Sequence, residues 1–157
     1  MDVMAFQTLV ARITGEIAGA PLDASLEAHL NAEHGAGSDT YEALAAACQL
    51  GAKEGWLCHR EGGGIRYGRA LKASDATHGF SVDVVDMENI AGPHHAHPNG
   101  EIDLIIPLTP GAIFDNYPAG WCVYAPGSAH RPTVAEGRAL VLYLLPNGAI
   151  DFAAVPA

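Results

Sequence analysis

Along the chain the spacing of apolar positions changes once, near Trp56, from helical to alternating. Phe6, Val10, Ile13 and Ile17 recur at three- and four-residue steps, so they share one face of a helix that ends near Gly19. Pro21 breaks that pattern. Asp23 is placed to cap a second helix, along which Leu22, Leu26 and Leu30 repeat every four residues and which Gly35 stops. Asp39 and Glu42 then stand at capping-box spacing ahead of an Ala-rich run, which predicts a third helix reaching about Glu54.

Beyond Trp56, glycine and proline punctuate short alternating runs. "EGGGIRY" (61–67) predicts a hairpin tip, "FSVDVVDM" (80–87) alternates, "EIDLIIPL" (101–108) and "WCVY" (121–124) read as strands, and "ALVLYLL" (139–145) is a nearly continuous apolar strand. Short strands between turn residues predict a sandwich or small barrel rather than βαβ units. The expected architecture is mainly β, a barrel preceded by N-terminal α-helices. In "EIDLIIPL" the alternate residues Ile102, Leu104 and Ile106 face one way, and Glu101, Asp103 and Ile105 the other. If the acidic face looks into the barrel, the apolar face needs a cover, and the helices are there to supply it.

Length and composition narrow this further. A chain of 157 residues, 49% of them hydrophobic, can bury one sizeable core, which predicts a single domain with residues 1–55 helical and 56–157 forming the barrel. Its formal charge is −10, from 18 Asp+Glu against 8 Lys+Arg, with no basic cluster; such a surface repels phosphate backbones, so nucleic-acid binding is not expected. No apolar run is long enough for a membrane span, and Asp2 with no basic n-region does not suit a signal peptide, so a cytoplasmic protein is expected. Cys48, Cys58 and Cys122 are odd in number and lack C-x-x-C spacing, which predicts buried, reduced thiols rather than a disulfide framework or zinc ribbon.

Chemistry concentrates in "GPHHAHPNGEIDLIIPL" (92–108). His95 and His97 are two apart, so on an extended strand both rings leave the same face at a spacing that suits one metal ion, while His94 faces away. Pro98, Asn99 and Gly100 predict a turn that returns Glu101 to the same place as a carboxylate ligand. A fourth ligand is available in "YAPGSAHRP", where His130 follows a Pro-Gly turn at the start of another strand. Three neutral imidazoles and one carboxylate suit Fe, Mn, Ni or Zn as a divalent ion with positions open to water or substrate. Asp103, on the face of Glu101, is a candidate partner to orient a ligand imidazole. The alternative is a metal-free barrel in which Glu101 and a histidine such as His97 act as acid and base. The isolated His29, His34, His59 and His78 read as ordinary surface or hydrogen-bonded residues.

His95-x-His97-x3-Glu101 and Gly120-x5-Pro126-Gly127-x2-His130 resemble the two motifs of the cupin superfamily, with the metal-ligand types in order. Leu108 stands where the first motif normally closes with glycine, and the second lacks a residue between Pro126 and Gly127. The resemblance implies a jelly-roll β-barrel with the metal at His95, His97, Glu101 and His130. More narrowly, "AGAPLDASLEAHLN", "GSDTYEAL", "IRYGRAL", "FSVDVVDM", "HHAHPNGEIDLIIPL", "GWCVYAPGSAHRPTV" and "LVLYLLPNG" occur in the order of the 4-hydroxylaminobenzoate lyase family. That resemblance implies a lyase forming protocatechuate and ammonia from a small aromatic acid, with Glu101 and His97 as the groups nearest the chemistry. Cupin-like barrels also serve dioxygenases, isomerases and non-catalytic small-molecule binding, and these remain the alternatives.

The substrate carboxylate calls for a cation. Arg66, Arg69 and Arg131 are candidates, since a guanidinium takes a carboxylate through two parallel hydrogen bonds. Tyr67 and Trp121 are candidates to stack on the ring, although strand aromatics are more often core. Exposed strand edges in such a barrel lead to the expectation of a homodimer.

Overall fold

In a computed structural model of the protein, residues 1–153 are described. Three helices come first: α1 (Val3–Ile17), α2 (Ala24–His34) and α3 (Asp39–Glu54). Each begins with a side chain accepting a hydrogen bond from an N–H of its own first turn: Asp2 from Ala5, Asp23 from Leu26, and Ser38 from Tyr41. Ser38 therefore caps α3, one residue before the position the Asp39/Glu42 spacing suggests. Asp39 and Glu42 fall inside the first turn, where carboxylates suit the positive end of the helix dipole.

Nine strands follow: β1 (Arg60–Gly62), β2 (Ile65–Leu71), β3 (Phe80–Ala91), β4 (His95–His97), β5 (Glu101–Pro107), β6 (Ile113–Phe114), β7 (Gly120–Tyr124), β8 (Ser128–His130) and β9 (Thr133–Pro146). Seven of them form one sheet in the order β1-β2-β3-β9-β5-β7, with β6 on the first residues of β9; β4 and β8 make a second, two-stranded sheet. All pairings are antiparallel. The fold is mainly β with N-terminal helices, as the pattern predicts, but the large sheet does not close into a barrel.

The edge at which closure would occur is occupied by a helix. Antiparallel pairing with β5 leaves the N–H groups of Trp121 and Val123 pointing away from the sheet, and α2 answers them. Asn31 Oδ1 accepts from Trp121 N at 2.9 Å, Asn31 Nδ2 donates to Trp121 O at 2.9 Å, and Glu27 Oε1 accepts from Val123 N at 2.9 Å. Two side chains of α2 thus take the place of a strand and seal the edge. β7 is therefore not a free edge through which two copies of the chain could pair.

In-register partners across the sheet share a face, and the two faces differ. Ile102, Leu104 and Ile106 of β5 lie with Leu140, Leu142 and Leu144 of β9 and with Val82 and Val84 of β3, all buried against Phe6, Val10, Ile13, Leu26, Leu30 and Leu44 of the helices. The helices are therefore the cover that the apolar face of β5 requires, and the Tyr41 hydroxyl of α3 ties them to it by donating to Ile105 O at 2.8 Å. The opposite face carries a second cluster, including Val85, Ile105, Phe114, Cys122, Val141 and Tyr143, and with it the acidic residues Glu101, Asp103 and Asp83. Cys48, Cys58 and Cys122 are free and buried. Among the described residues no helix is long and apolar enough to cross a membrane.

Replacing Asn31 with Ala removes both of its hydrogen bonds to the sheet edge and leaves buried Trp121 backbone groups unanswered. A loss of about 1–3 kcal/mol in urea unfolding is expected; an unchanged midpoint and slope would show that α2 does not secure the edge.

Candidate metal centre

The second sheet brings the histidines together. In the β4–β8 pair His95 lies opposite His130, and His97 opposite Ser128. Because residues two apart on a strand share a face, both imidazoles of β4 project toward the ring of His130. After Pro98 and Asn99 the chain reverses at Gly100, whose N–H donates to His97 O at 3.1 Å, and Glu101 opens β5 beneath the imidazoles. Gly100 is required there twice over. Its φ is +86°, and a Cβ would stand 2.7 Å from Tyr124 O.

His95, His97, Glu101 and His130 each turn one ligand atom to a common point, all within 4.8 Å of one another. Glu101 Oε1 lies 3.4 Å from His95 Nε2, and Oε2 lies 3.4 Å from His97 Nε2 and 3.7 Å from His130 Nε2. The Nε2 atoms of His95 and His130 are 3.1 Å apart. His95, His97 and Glu101 are buried, and His130 is partly open.

What surrounds the far nitrogens decides what this cluster is. The Ser128 hydroxyl gives its proton to Ala125 O at 2.5 Å, so at 3.0 Å it can only accept from His97 Nδ1. His130 Nδ1 meets Asp115 Oδ2 at 2.6 Å, and His95 Nδ1 faces the carbonyl of Pro93 at 3.4 Å. Every Nδ1 therefore faces an acceptor, which assigns the proton to Nδ1 and leaves the Nε2 lone pairs directed inward. His97 Nε2 and both Glu101 oxygens are buried without a hydrogen-bond partner. Converging acceptors with no donor among them repel one another, and they are the donor set of a divalent cation with nitrogen and oxygen ligands. The residues present fit such an ion, with Asp115–His130 as a carboxylate–histidine pair behind it.

A family model described as "PnbB: 4-hydroxylaminobenzoate lyase" matches residues 8–152 of this chain, a span that contains all four converging residues. The chain belongs to the 4-hydroxylaminobenzoate lyase family. It is 35% identical over 141 residues to a 4-hydroxylaminobenzoate lyase of Nocardioides sp. (strain LMS-CY), with 83% of each chain covered. It is 32% identical over 147 residues to one of Pseudomonas putida, covering 83% of this chain and 84% of the relative. Among solved structures, an RmlC-like cupin protein of Ralstonia eutropha JMP134 aligns over 54% of this chain and 57% of its own at 10% identity, with a TM-score of 0.39. The chain is thus a member of an enzyme family.

Electrostatics divide the two carboxyls of β5. Burial works to raise Glu101, but hydrogen bonds that His95, His97 and Asp103 can give it outweigh burial and hold Glu101 below the ordinary carboxylate range; a cation at the Nε2 atoms would take the place of those ring protons. Burial and the neighbouring charge of Glu101 push Asp103 well above that range, which favours its protonated form. Asp103 therefore serves Glu101 and does not orient an imidazole, as its position on the strand had suggested; its remaining close neighbour is the Cys122 thiol at 3.9 Å.

Asp115, which does orient one, has no distinct signal in the sequence. It sits in the reversal between β6 and β7, where Asp115 and Asn116 both adopt positive φ, 49° and 68°. "DN" reads there only as a turn dipeptide. Its Oδ1 accepts from Thr133 N at 2.9 Å, and Oδ2 takes the Tyr124 hydroxyl at 2.5 Å as well as His130. Tyr124 also lies against the imidazoles of His130 and His97, with ring centroids 4.5 and 5.3 Å away.

Four of the five residues suggested for substrate, Arg66, Arg69, Tyr67 and Trp121, do not gather here. Arg69 lies on the acidic face but is committed to Asp83 at 2.9 and 3.1 Å and to Gly148 O at 3.2 Å. Arg66 is paired in register with Asp86 on the helix-covered face, in a cleft with Lys53 and Arg138. Trp121 is buried on that same face and donates Nε1–H to His34 O at 2.9 Å, a plain core role. Tyr67 stands on β2 opposite Val85, with β3 and β9 between it and β5. Arg131 follows His130 directly and is exposed. The ordinary histidines are as expected: His29 and His34 meet Glu16, and His78 meets Thr14.

Asp115→Asn keeps the shape but weakens the acceptor that fixes His130. Divalent-metal affinity, measured by competition with a chelator, is expected to fall about 10- to 100-fold. Unchanged affinity would mean that His130 needs no partner.

Proposed function

We propose that this protein converts 4-hydroxylaminobenzoate to 3,4-dihydroxybenzoate with release of ammonia, at a divalent metal held by His95, His97, Glu101 and His130. The observation that carries the reading is the convergence of three inward Nε2 lone pairs and an ionised carboxylate in a chain of this family. The overall reaction takes up one water. The N–O bond, the C–N bond and one ring C–H bond break and two ring C–O bonds form, the ring hydrogen leaving as a proton; reduction of the nitrogen balances oxidation of the ring, so no external oxidant or reductant is needed.

A divalent ion at the four ligands supplies Lewis acidity, polarising the hydroxylamino oxygen or activating water. The chain's own residues supply the rest. Glu101, held ionised, is an acceptor at this site and not a proton donor, which moves the acid role in any metal-free variant to a histidine. His97 and Glu101, both fully buried, form the floor. Asp115, Ser128 and Pro93 fix the three imidazoles so that no reorientation is required when the substrate arrives.

The test is formation of ammonia and 3,4-dihydroxybenzoate by purified protein before and after chelation. Product that vanishes on chelation and returns with added metal is the expected result; product that survives chelation assigns the reaction to acid–base catalysis by the same side chains, and no product in either sample overturns the reading.

His97→Ala removes a buried ligand without touching either hydrophobic cluster. It should abolish turnover while the circular dichroism spectrum and unfolding midpoint of the metal-free variant stay close to those of the metal-free parent protein. Activity retained by the variant would sink both the metal-dependent and the metal-free account.

A further inference from the structure

The strand that carries His95 and His97 has a neighbour on each edge. On one side is β8. On the other, Ala96 exchanges both backbone hydrogen bonds with Asp151: Ala96 N donates to Asp151 O at 2.8 Å and Asp151 N to Ala96 O at 3.0 Å. The chain reaches this edge by leaving β9 at Pro146 and reversing at Asn147 and Gly148, both at positive φ. Asn99 Nδ2 donates to Pro146 O at 3.3 Å and Arg69 Nη2 to Gly148 O at 3.2 Å, which pins the reversal to the turn before Glu101 and to β2. Asp151 Oδ1 then accepts from Ala153 N at 2.9 Å and bends the chain just past the bridge.

The result of this path is the position of Phe152. Its ring lies against the imidazole of His95, with centroids 5.4 Å apart and planes at 59°. His95 is 1% exposed, whereas Phe152 is 59% exposed. Four aromatic rings meet the imidazoles among the described residues: Phe114, Tyr124, Tyr143 and Phe152. Phe114 and Tyr143 are buried, and Tyr124 commits its hydroxyl to Asp115. Phe152 alone among them leaves most of its surface open beside a metal ligand.

We propose that Phe152, carried to the metal centre by residues 147–153, is a specificity-determining contact that receives the aromatic ring of the substrate. The inference rests on the reading of the site as one for a small aromatic acid. The converging ligand atoms are polar and can engage the reacting end of such a molecule, but its ring needs an apolar partner. An offset or edge-on contact between rings provides one at the centroid separations found here.

The experiment compares the parent protein with Phe152→Ala and Phe152→Tyr. It measures kcat and KM for 4-hydroxylaminobenzoate, bound metal, and calorimetric binding of two unreactive acids, 4-hydroxybenzoate and the non-aromatic cyclohexanecarboxylate. Phe152→Ala should raise KM, and the Kd for 4-hydroxybenzoate, by about 3- to 10-fold, the size expected of one aromatic pair. Bound metal and cyclohexanecarboxylate binding should be unchanged, and Phe152→Tyr should behave as the parent. Equal losses for the two acids, no loss for either, or loss of metal from Phe152→Ala would each overturn the proposal. If the parent protein fails to turn over 4-hydroxylaminobenzoate, the functional reading fails, and the contrast between the two acids still decides the role of Phe152.

Discussion

Three imidazole nitrogens and a carboxylate, all acceptors, lie within 4.8 Å of one another in a place almost closed to water, and the fold has to hold them there against their mutual repulsion. The arrangement is sustained by what stands behind it. Asp115, Ser128 and Pro93 take the outer imidazole protons, and those hydrogen bonds fix both the ring orientations and the direction of the lone pairs. A cation bound by these four side chains would relieve that repulsion and stabilise the native state by mass action, which would link metal binding to folding stability.

The sheet is organised to carry this burden on one side only. One face is aliphatic and fully occupied by the helices, which supplies ordinary hydrophobic stabilisation. The other holds Glu101, Asp103 and Asp83 among aromatic and aliphatic neighbours. Strand alternation in β5 makes this division possible within seven residues, since Ile102, Leu104 and Ile106 anchor the strand while Glu101 and Asp103 serve the centre. The α2 side chains that seal β7 follow the same logic. They hold the partner strand of β5 in place without a further strand, so the large sheet is secured without closing into a barrel.

Much of this was legible in the sequence because it is carried by periodicity or by spacing. The four-residue repeats of the helices, the alternation of "EIDLIIPL" and the two-residue step from His95 to His97 each fix a direction in space, so the convergence of His95, His97 and Glu101 and the helix cover could be read directly. What was not legible depends on register between distant segments. Ser128 belongs to the site because β8 pairs with β4 so that it falls opposite His97, and Asp115 because a two-residue reversal at positive φ swings its carboxylate under His130. Trp121 and Arg66 were misplaced for the same reason: both are one strand step out of phase with the residues that face the site, and alternation then puts them on the helix side. The open sheet escaped notice because its cause is a pair of hydrogen-bonding side chains on a helix, not any feature of the strands.

Charge closes the argument about what the site accepts. The chain carries a formal charge of −10, and Glu101 and Asp115, both held below the ordinary carboxylate range, bring two negative charges to the centre while Asp103 favours its protonated form. Arg69, an arginine on the same face of the sheet, is already neutralised by Asp83. An aromatic carboxylate approaching these residues alone would meet repulsion. A divalent ion cancels both charges, so the same ion that satisfies the inward lone pairs also makes the centre approachable by an anion. On the proposed function, affinity for a metal and affinity for the acid would be coupled through this one electrostatic constraint, and contacts to the aromatic ring would set the substrate's orientation.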